Sequence, residues 1–133
     1  FGSKLYLAVI DMDGTKYIND NYGHEEGDFA IVKLCDIIRD VYKDMGICIR
    51  TGGDEFVVIA GDSDEGMARS WDARIESLAD EFNNSGVKPY SIYVSVGSVC
   101  KMPGRTDTIS SFIKESDEIM YENKMRNKAI HVR

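Results

Sequence analysis

Positive charge, pairable cysteines and long apolar runs are all scarce in this sequence, and each scarcity closes off a class of function. Lys and Arg number 16 against 23 Asp and Glu, a formal net charge of −7. That balance speaks against a nucleic-acid partner, because phosphate backbones are bound through clustered Lys and Arg. A small anionic substrate stays possible where lysines or metal ions offset the acidity locally. The three cysteines, Cys35, Cys48 and Cys100, are odd in number, far apart and outside any Cys-x-x-Cys pair. They read as reduced, mostly buried thiols of a cytoplasmic protein. No apolar run approaches ~20 residues, so no membrane span or membrane contact is expected, and there is no secretory signal. Internal repeats, low-complexity tracts and linkers are absent as well. What is present is ordinary for a globular chain: 133 residues, 43% hydrophobic and 29% charged, enough for one domain with a substantial core.

Lys4 to Ile10 is a continuous apolar run of strand length, which suggests a strand buried on both faces. Asp11-Met12-Asp13-Gly14-Thr15 ends it abruptly. A helix is expected from around Glu26 to Asp28, with Ile31, Leu34, Cys35, Ile38, Val41 and Tyr42 on one face and Gly46 as its stop. Ile47-Cys48-Ile49 and Phe56 to Ala60 read as a hairpin bent at Gly52-Gly53, where glycine permits positive φ and lets another molecule approach the backbone closely. Gly61 to Asp64 supplies turn and cap residues for a second helix carrying Met67, Trp71, Ile75, Leu78 and Phe82. Tyr90 to Val99 alternates, with Ile92, Val94 and Val96 on one side, as in a strand covered on one face. After Pro103-Gly104 a third helix carries Ile109, Phe112, Ile113, Ile119 and Met120, and Ala129 to Val132 forms a last short strand. The order predicts an α+β sandwich, helices packed on a mostly antiparallel sheet.

Two acidic clusters stand out in this layout. Asp11 and Asp13 lie at the end of a buried strand, where a rigid element fixes a carboxylate closely. Asp54 and Glu55 follow the glycine turn. Four acids at the ends of two potentially neighbouring strands suit one or two magnesium ions bound to a polyphosphate, because hard cations take carboxylate oxygens. Asp13 and Gly14 also fit ordinary turn work, and Asp28 fits a helix N-terminal charge. Leu7 to Thr15 further resembles the first motif of haloacid-dehalogenase-type phosphatases, in which Asp11 would be a covalent nucleophile and Asp13 a general acid-base. That reading requires a doubly wound parallel sheet and leaves Arg50 to Phe56 unexplained.

Taken together, Asp11-x-Asp13, Lys16-x-Ile18-Asn19-Asp20-x-x-Gly23-His24-x-x-Gly27-Asp28 and Gly52-Gly53-Asp54-Glu55-Phe56 resemble the GGDEF family of diguanylate cyclases over almost the whole chain. The resemblance implies a fold similar to nucleotide-cyclase and polymerase palm domains, and the joining of two GTP molecules into cyclic di-GMP with release of pyrophosphate. It implies that Asp11, the Met12 carbonyl, Asp54 and Glu55 hold Mg2+ or Mn2+, with Asp54 and Glu55 catalytic. Gly14, Thr15 and Lys16 would cradle phosphates at the start of a short helix, with Gly53, Lys124 and Lys128 also facing substrate, although the two lysines, four apart on the last helix, fit solvent-exposed helix charge as well. Asn19 and Asp28 would read guanine: a carboxylate accepts from both N1–H and the 2-amino group, whereas adenine would leave it unpaired at a cost of about 1–3 kcal/mol. A homodimer is implied, because each 3′-hydroxyl must attack the other GTP. So is a regulatory or sensory domain in a longer signalling protein, of which residues 1–133 would be one catalytic domain. The alternative within the family is a catalytically silent GTP-binding module.

Departures from the family pattern carry their own expectations. Thr15 stands where Phe is usual, Thr51 where a larger residue is common, and Lys128 where Arg is usual. The Arg-x-x-Asp motif that mediates product inhibition is represented by Lys43-Asp44-Met45-Gly46, so no inhibitory site of the usual type is expected. The Leu-Thr-Gly-Leu segment usual before the first strand does not occur, and Phe1-Gly2-Ser3 reads as a cloning remnant.

Overall fold

A computed structural model of the chain describes residues 3–130, with the side chains of 129 and 130 left aside. Its elements are β1 (Lys4–Asp13), α1 (Thr15–Tyr22), α2 (His24–Tyr42), β2 (Ile47–Arg50), β3 (Glu55–Ser63), α3 (Glu65–Ser85), β4 (Tyr93–Lys101) and α4 (Ile109–Ile130). The four strands form one sheet in the order β2-β3-β1-β4, with every neighbouring pair antiparallel. This is the expected α+β sandwich. It also excludes the phosphatase reading, which needs a parallel sheet joined by crossover helices.

The apolar run of β1 is buried on both faces, as its sequence predicts. Tyr6, Ala8, Ile10 and Met12 point into the larger core beneath α2 and α3, where Leu34, Ile38, Trp71 and Ile75 meet them. Leu7 and Val9 point the other way, onto Phe112 and Met120 of α4. Tyr6 brings a polar group into the larger core and satisfies it there. Its hydroxyl lies 2.7 Å from Tyr42 Oη and donates to Asp72 Oδ1 at 2.7 Å, and Ser98 holds the other oxygen of Asp72. Burial raises the pKa of Asp72, and the hydroxyls that donate to it oppose the rise.

Several local expectations are corrected by the packing. β4 is covered on both faces, because its second face, which carries Ser95, Gly97 and Val99, lies under α4. Gly97 makes this possible: a Cβ there would fall 2.2 Å from both Ser116 O and Met120 N. The last short strand does not form at its start, since Ala129 and Ile130 continue α4; His131 and Val132 lie outside the described residues. α2 begins at His24, because Gly23 at φ 97° separates it from α1. It ends at Tyr42 with Lys43 at φ 52°. Gly46 is instead a site of close approach to β3, where a Cβ would sit 3.1 Å from Val58 Cγ1. Gly52 and Gly53 do bend the hairpin, but neither has positive φ among the described residues. Cys48, expected to be buried, is exposed on the edge strand β2, and Cys35 and Cys100 are half-buried free thiols.

Candidate active site

The acids converge at one end of the sheet because β1 and β3 are neighbours. Asp11 stands in register with Glu55, and the backbone N–H of Met12 donates to Asp54 O at 3.0 Å. On the α2 side, a cleft of about 270 Å3 gathers Thr15, Asn19, Asp28, Arg50, Gly53 and Asp54. Thr15 Oγ1 donates to Asp54 Oδ2 at 3.3 Å. The residue that departs from the family pattern thus steadies the acid opposite it. A Cβ at Gly53 would meet nothing within 4 Å, so this glycine leaves the backbone open to an approaching molecule. The guanidinium of Arg50 donates to the carbonyls of Gly52 and Gly53 and pins the turn from below.

Asn19 is seated by a second glycine. A Cβ on Gly27 would fall 1.7 Å from Asn19 Oδ1, so the amide lies flat on the start of α2 only because position 27 has no side chain. Gly27→Ala is therefore expected to lift Asn19 out of the cleft and raise the KM for a substrate held by that amide about tenfold, equivalent to roughly 1.4 kcal/mol, with a smaller change in kcat. Steady-state kinetics checks this.

On the α4 side, Lys124 Nζ donates to Asp11 Oδ2 at 2.7 Å and lies 3.3 Å from Asp13 Oδ1. Asp13 Oδ2 accepts from Ser95 Oγ at 3.2 Å, and Ser95 Oγ in turn accepts from Asn127 Nδ2 at 3.2 Å. Asp13 Oδ1 is buried with no aligned hydrogen-bond donor among the described residues, and Lys124 reaches it as an ion pair. Burial pushes the Asp11 carboxyl up from its ordinary 3.8 to about 6; Lys124 opposes this, and the Asp54 and Asp13 charges add to it. A raised pKa in the folded state favours the protonated form. The Asp11 contribution to stability is thus fully present below pH 3.8 and lost as the pH rises through about 6. Urea titrations of nucleotide-free protein across that window should show Asp11→Asn gaining on wild type as the pH rises.

The remaining expected residues are less engaged. Gly14 takes the left-handed conformation at φ 79° and starts α1, whose N-terminus no side chain caps. Lys16 is exposed and pairs with Asp20 at 2.7 Å. Glu55 is half-buried on the α4 face beside Asp11. Lys128 is exposed one turn beyond Lys124, and among the described residues the lysine paired with Asp11 and Asp13 is Lys124. Ser95, Asn127 and the seating role of Gly27 had no signal in the sequence, because each acts on a partner brought near only by the fold. Arg50 did have one, as the first residue of the stretch around the glycine turn.

Among the described residues, no three Asp, Glu, His or Cys side chains converge into a metal cage. Magnesium does not require one, since one or two carboxylates with substrate phosphates suffice. The Asp54 charge adds to the cost of ionising Asp11, so the two carboxylates are near neighbours, and they supply that number.

An antiparallel palm-like sheet with paired acids at one end and a polar cleft beside them defines a nucleotide-cyclase type of domain. Comparison with known proteins gives the family. The family model described as "Diguanylate cyclase, GGDEF domain" matches residues 2–129, and the chain belongs to the GGDEF family. The chain is 34% identical to the probable diguanylate cyclase DgcJ of Escherichia coli K12, over 96% of this chain and 25% of that protein. It is also 34% identical to the diguanylate cyclase VdcA of Vibrio cholerae, over 92% of this chain and 37% of that protein. It thus spans between a quarter and two fifths of these relatives. The GGDEF domain of DgcB from Caulobacter crescentus, solved in complex with c-di-GMP, superposes with a TM-score of 0.78 at 27% identity, covering 93% of this chain and 74% of that one. The active GGEEF domain of a Vibrio cholerae diguanylate cyclase gives 0.76 at 26%, covering 92% and 78%.

Proposed function

We propose that this domain condenses two GTP molecules into cyclic di-GMP and pyrophosphate, as the catalytic part of a longer cytoplasmic signalling protein with its own regulatory domain. The observation that carries this reading is the cleft that brings Asn19, Asp28, Gly53 and Asp54 together beside the acids of β1. Asn19 and Asp28 bind the guanine edge, and Asp28 rejects adenine because it has only acceptors to offer. The open backbone at Gly53 and the uncapped start of α1, with Gly14, Thr15 and Lys16, receive the triphosphate. Lys124 and Lys128 add positive charge from α4. Asp54, steadied by Thr15, receives the proton of the 3′-hydroxyl, and Glu55 supports the metal side.

Asp11, the Met12 carbonyl, Asp54 and Glu55 are the groups that would hold Mg2+ or Mn2+, and the metal would supply charge neutralisation on the phosphates. One cleft holds one nucleotide, so two copies must face each other. In dilute solution the rate per mole of protein should therefore rise with protein concentration, and a strictly constant specific rate across the dimerisation range would contradict the arrangement.

The test is incubation of concentrated protein with GTP and magnesium, with every product identified by mass spectrometry. Cyclic di-GMP supports the reading. GTP binding without product would identify a silent GTP-binding module. Gly46 stands where the family's inhibitory carboxylate would be and packs directly on β3. Micromolar cyclic di-GMP should accordingly leave the initial rate unchanged within about twofold, because the charged pair that would hold it is missing.

A further inference from the structure

We propose that Lys124 is a resident counter-ion of the acidic site which a divalent cation must displace from Asp11, and that Asp13 is the positioning residue that retains the displaced ammonium. The inference rests on the reading that Asp11 is a metal ligand. Lys124 Nζ occupies Asp11 Oδ2 at 2.7 Å, on a carboxylate that is almost fully buried and so has little other surface to offer. A divalent cation on Asp11 and an ammonium on the same oxygen repel strongly at that spacing.

Asp13 has a different part. Ser95, itself held by Asn127, fixes its Oδ2, while its Oδ1 is buried without a hydrogen bond and only 3.3 Å from the lysine. That oxygen already pairs with the ammonium and is placed to keep it once it leaves Asp11. Asn123 Nδ2 donates to Val96 O at 2.6 Å and anchors α4 beside Lys124, so the helix stays while the flexible four-carbon stem moves. Nucleotide phosphates then give the freed ammonium a second partner. Metal and nucleotide should bind with positive coupling, each favouring the other by the same factor.

The experiment titrates Mn2+ alone into nucleotide-free protein and counts free ion by electron paramagnetic resonance. Lys124→Met is expected to bind Mn2+ about tenfold tighter than wild type or better. Lys124→Gln should tighten likewise, and stands in if the Met variant does not fold. Lys124→Arg keeps the charge and should stay as weak as wild type. Lys114→Met, the same charge change on an exposed part of α4, should have no effect. No tightening in the neutral Lys124 variants, or equal tightening in Lys114→Met, overturns the inference. If Mn2+ binding in the presence of GTP persists in that case, the metal reading stands without it. If Mn2+ binds neither with nor without GTP, both fall.

Discussion

Asp54→Asn is expected to lower cyclic di-GMP formation by about 10³-fold or more, the scale for losing a group that acts on developing charge at a reacting centre. The substitution is nearly isosteric and spares the backbone bond from Met12 N to Asp54 O that closes β3 onto β1. The side chain is half-buried at the cleft and has one described hydrogen bond, from Thr15 Oγ1. Stability should therefore change by no more than about 0.5 kcal/mol. Product quantification against a thermal melt separates the two effects. Full activity in the variant would move the chemistry to another carboxylate, and a collapsed melting temperature would make the activity loss uninformative.

Gly97→Ala is expected to have the largest effect on stability of any single methyl addition, about 3 kcal/mol or more. The new Cβ would lie 2.2 Å from Ser116 O and Met120 N and 2.7 Å from Met120 Cα. All three are backbone atoms of α4, so no rotamer change relieves the clash. Either α4 lifts from the sheet or β4 bends away from β1, and both uncover the core formed by Leu7, Val9, Phe112 and Met120. Lys124 lies one turn past Met120 and would move with the helix, so activity should fall along with stability. Urea denaturation measures the first effect, and a loss below about 1 kcal/mol would mean that α4 does not seat on β4 at Gly97.

Much of this arrangement was legible in the sequence, for identifiable reasons. β1 announces itself because a strand buried on both faces has no polar alternation to confuse it. The hairpin and the acids of Asp11 and Asp54 sit at strand ends, where charge and glycine are conspicuous. β4 was harder to read: Ser95 and Gly97 look like an outward polar face, yet they are small because a helix lies on them. The end of α4 misled for the opposite reason, since Ile130 and Val132 have strand-like side chains while the helix ladder runs on through Ile130. Gly52 and Gly53 were rightly placed at the bend, and of the two reasons for glycine there the backbone shows open space at Gly53 and not positive φ. Lys124 and Lys128 look equivalent in sequence, four apart on one helix, yet only Lys124 reaches the acids. Nothing local distinguishes them, because the partners come from an element more than a hundred residues earlier.

That separation has a bearing on how the domain comes into being. Asp11 and Lys124 are 113 positions apart, so β1 leaves the ribosome with two carboxylates whose counter-charge follows more than a hundred residues later. Until α4 arrives, the chain holds a charged strand end with no cation to seat it. Closing α4 over the sheet completes the smaller core and neutralises the acids in one event. A chain clipped just ahead of Lys124 would keep every residue of the glycine turn and of the cleft beside it. It would also leave Asp11 and Asp13 facing each other without their cation, so proteolysis within this one helix would silence the domain while leaving its most recognisable motif intact.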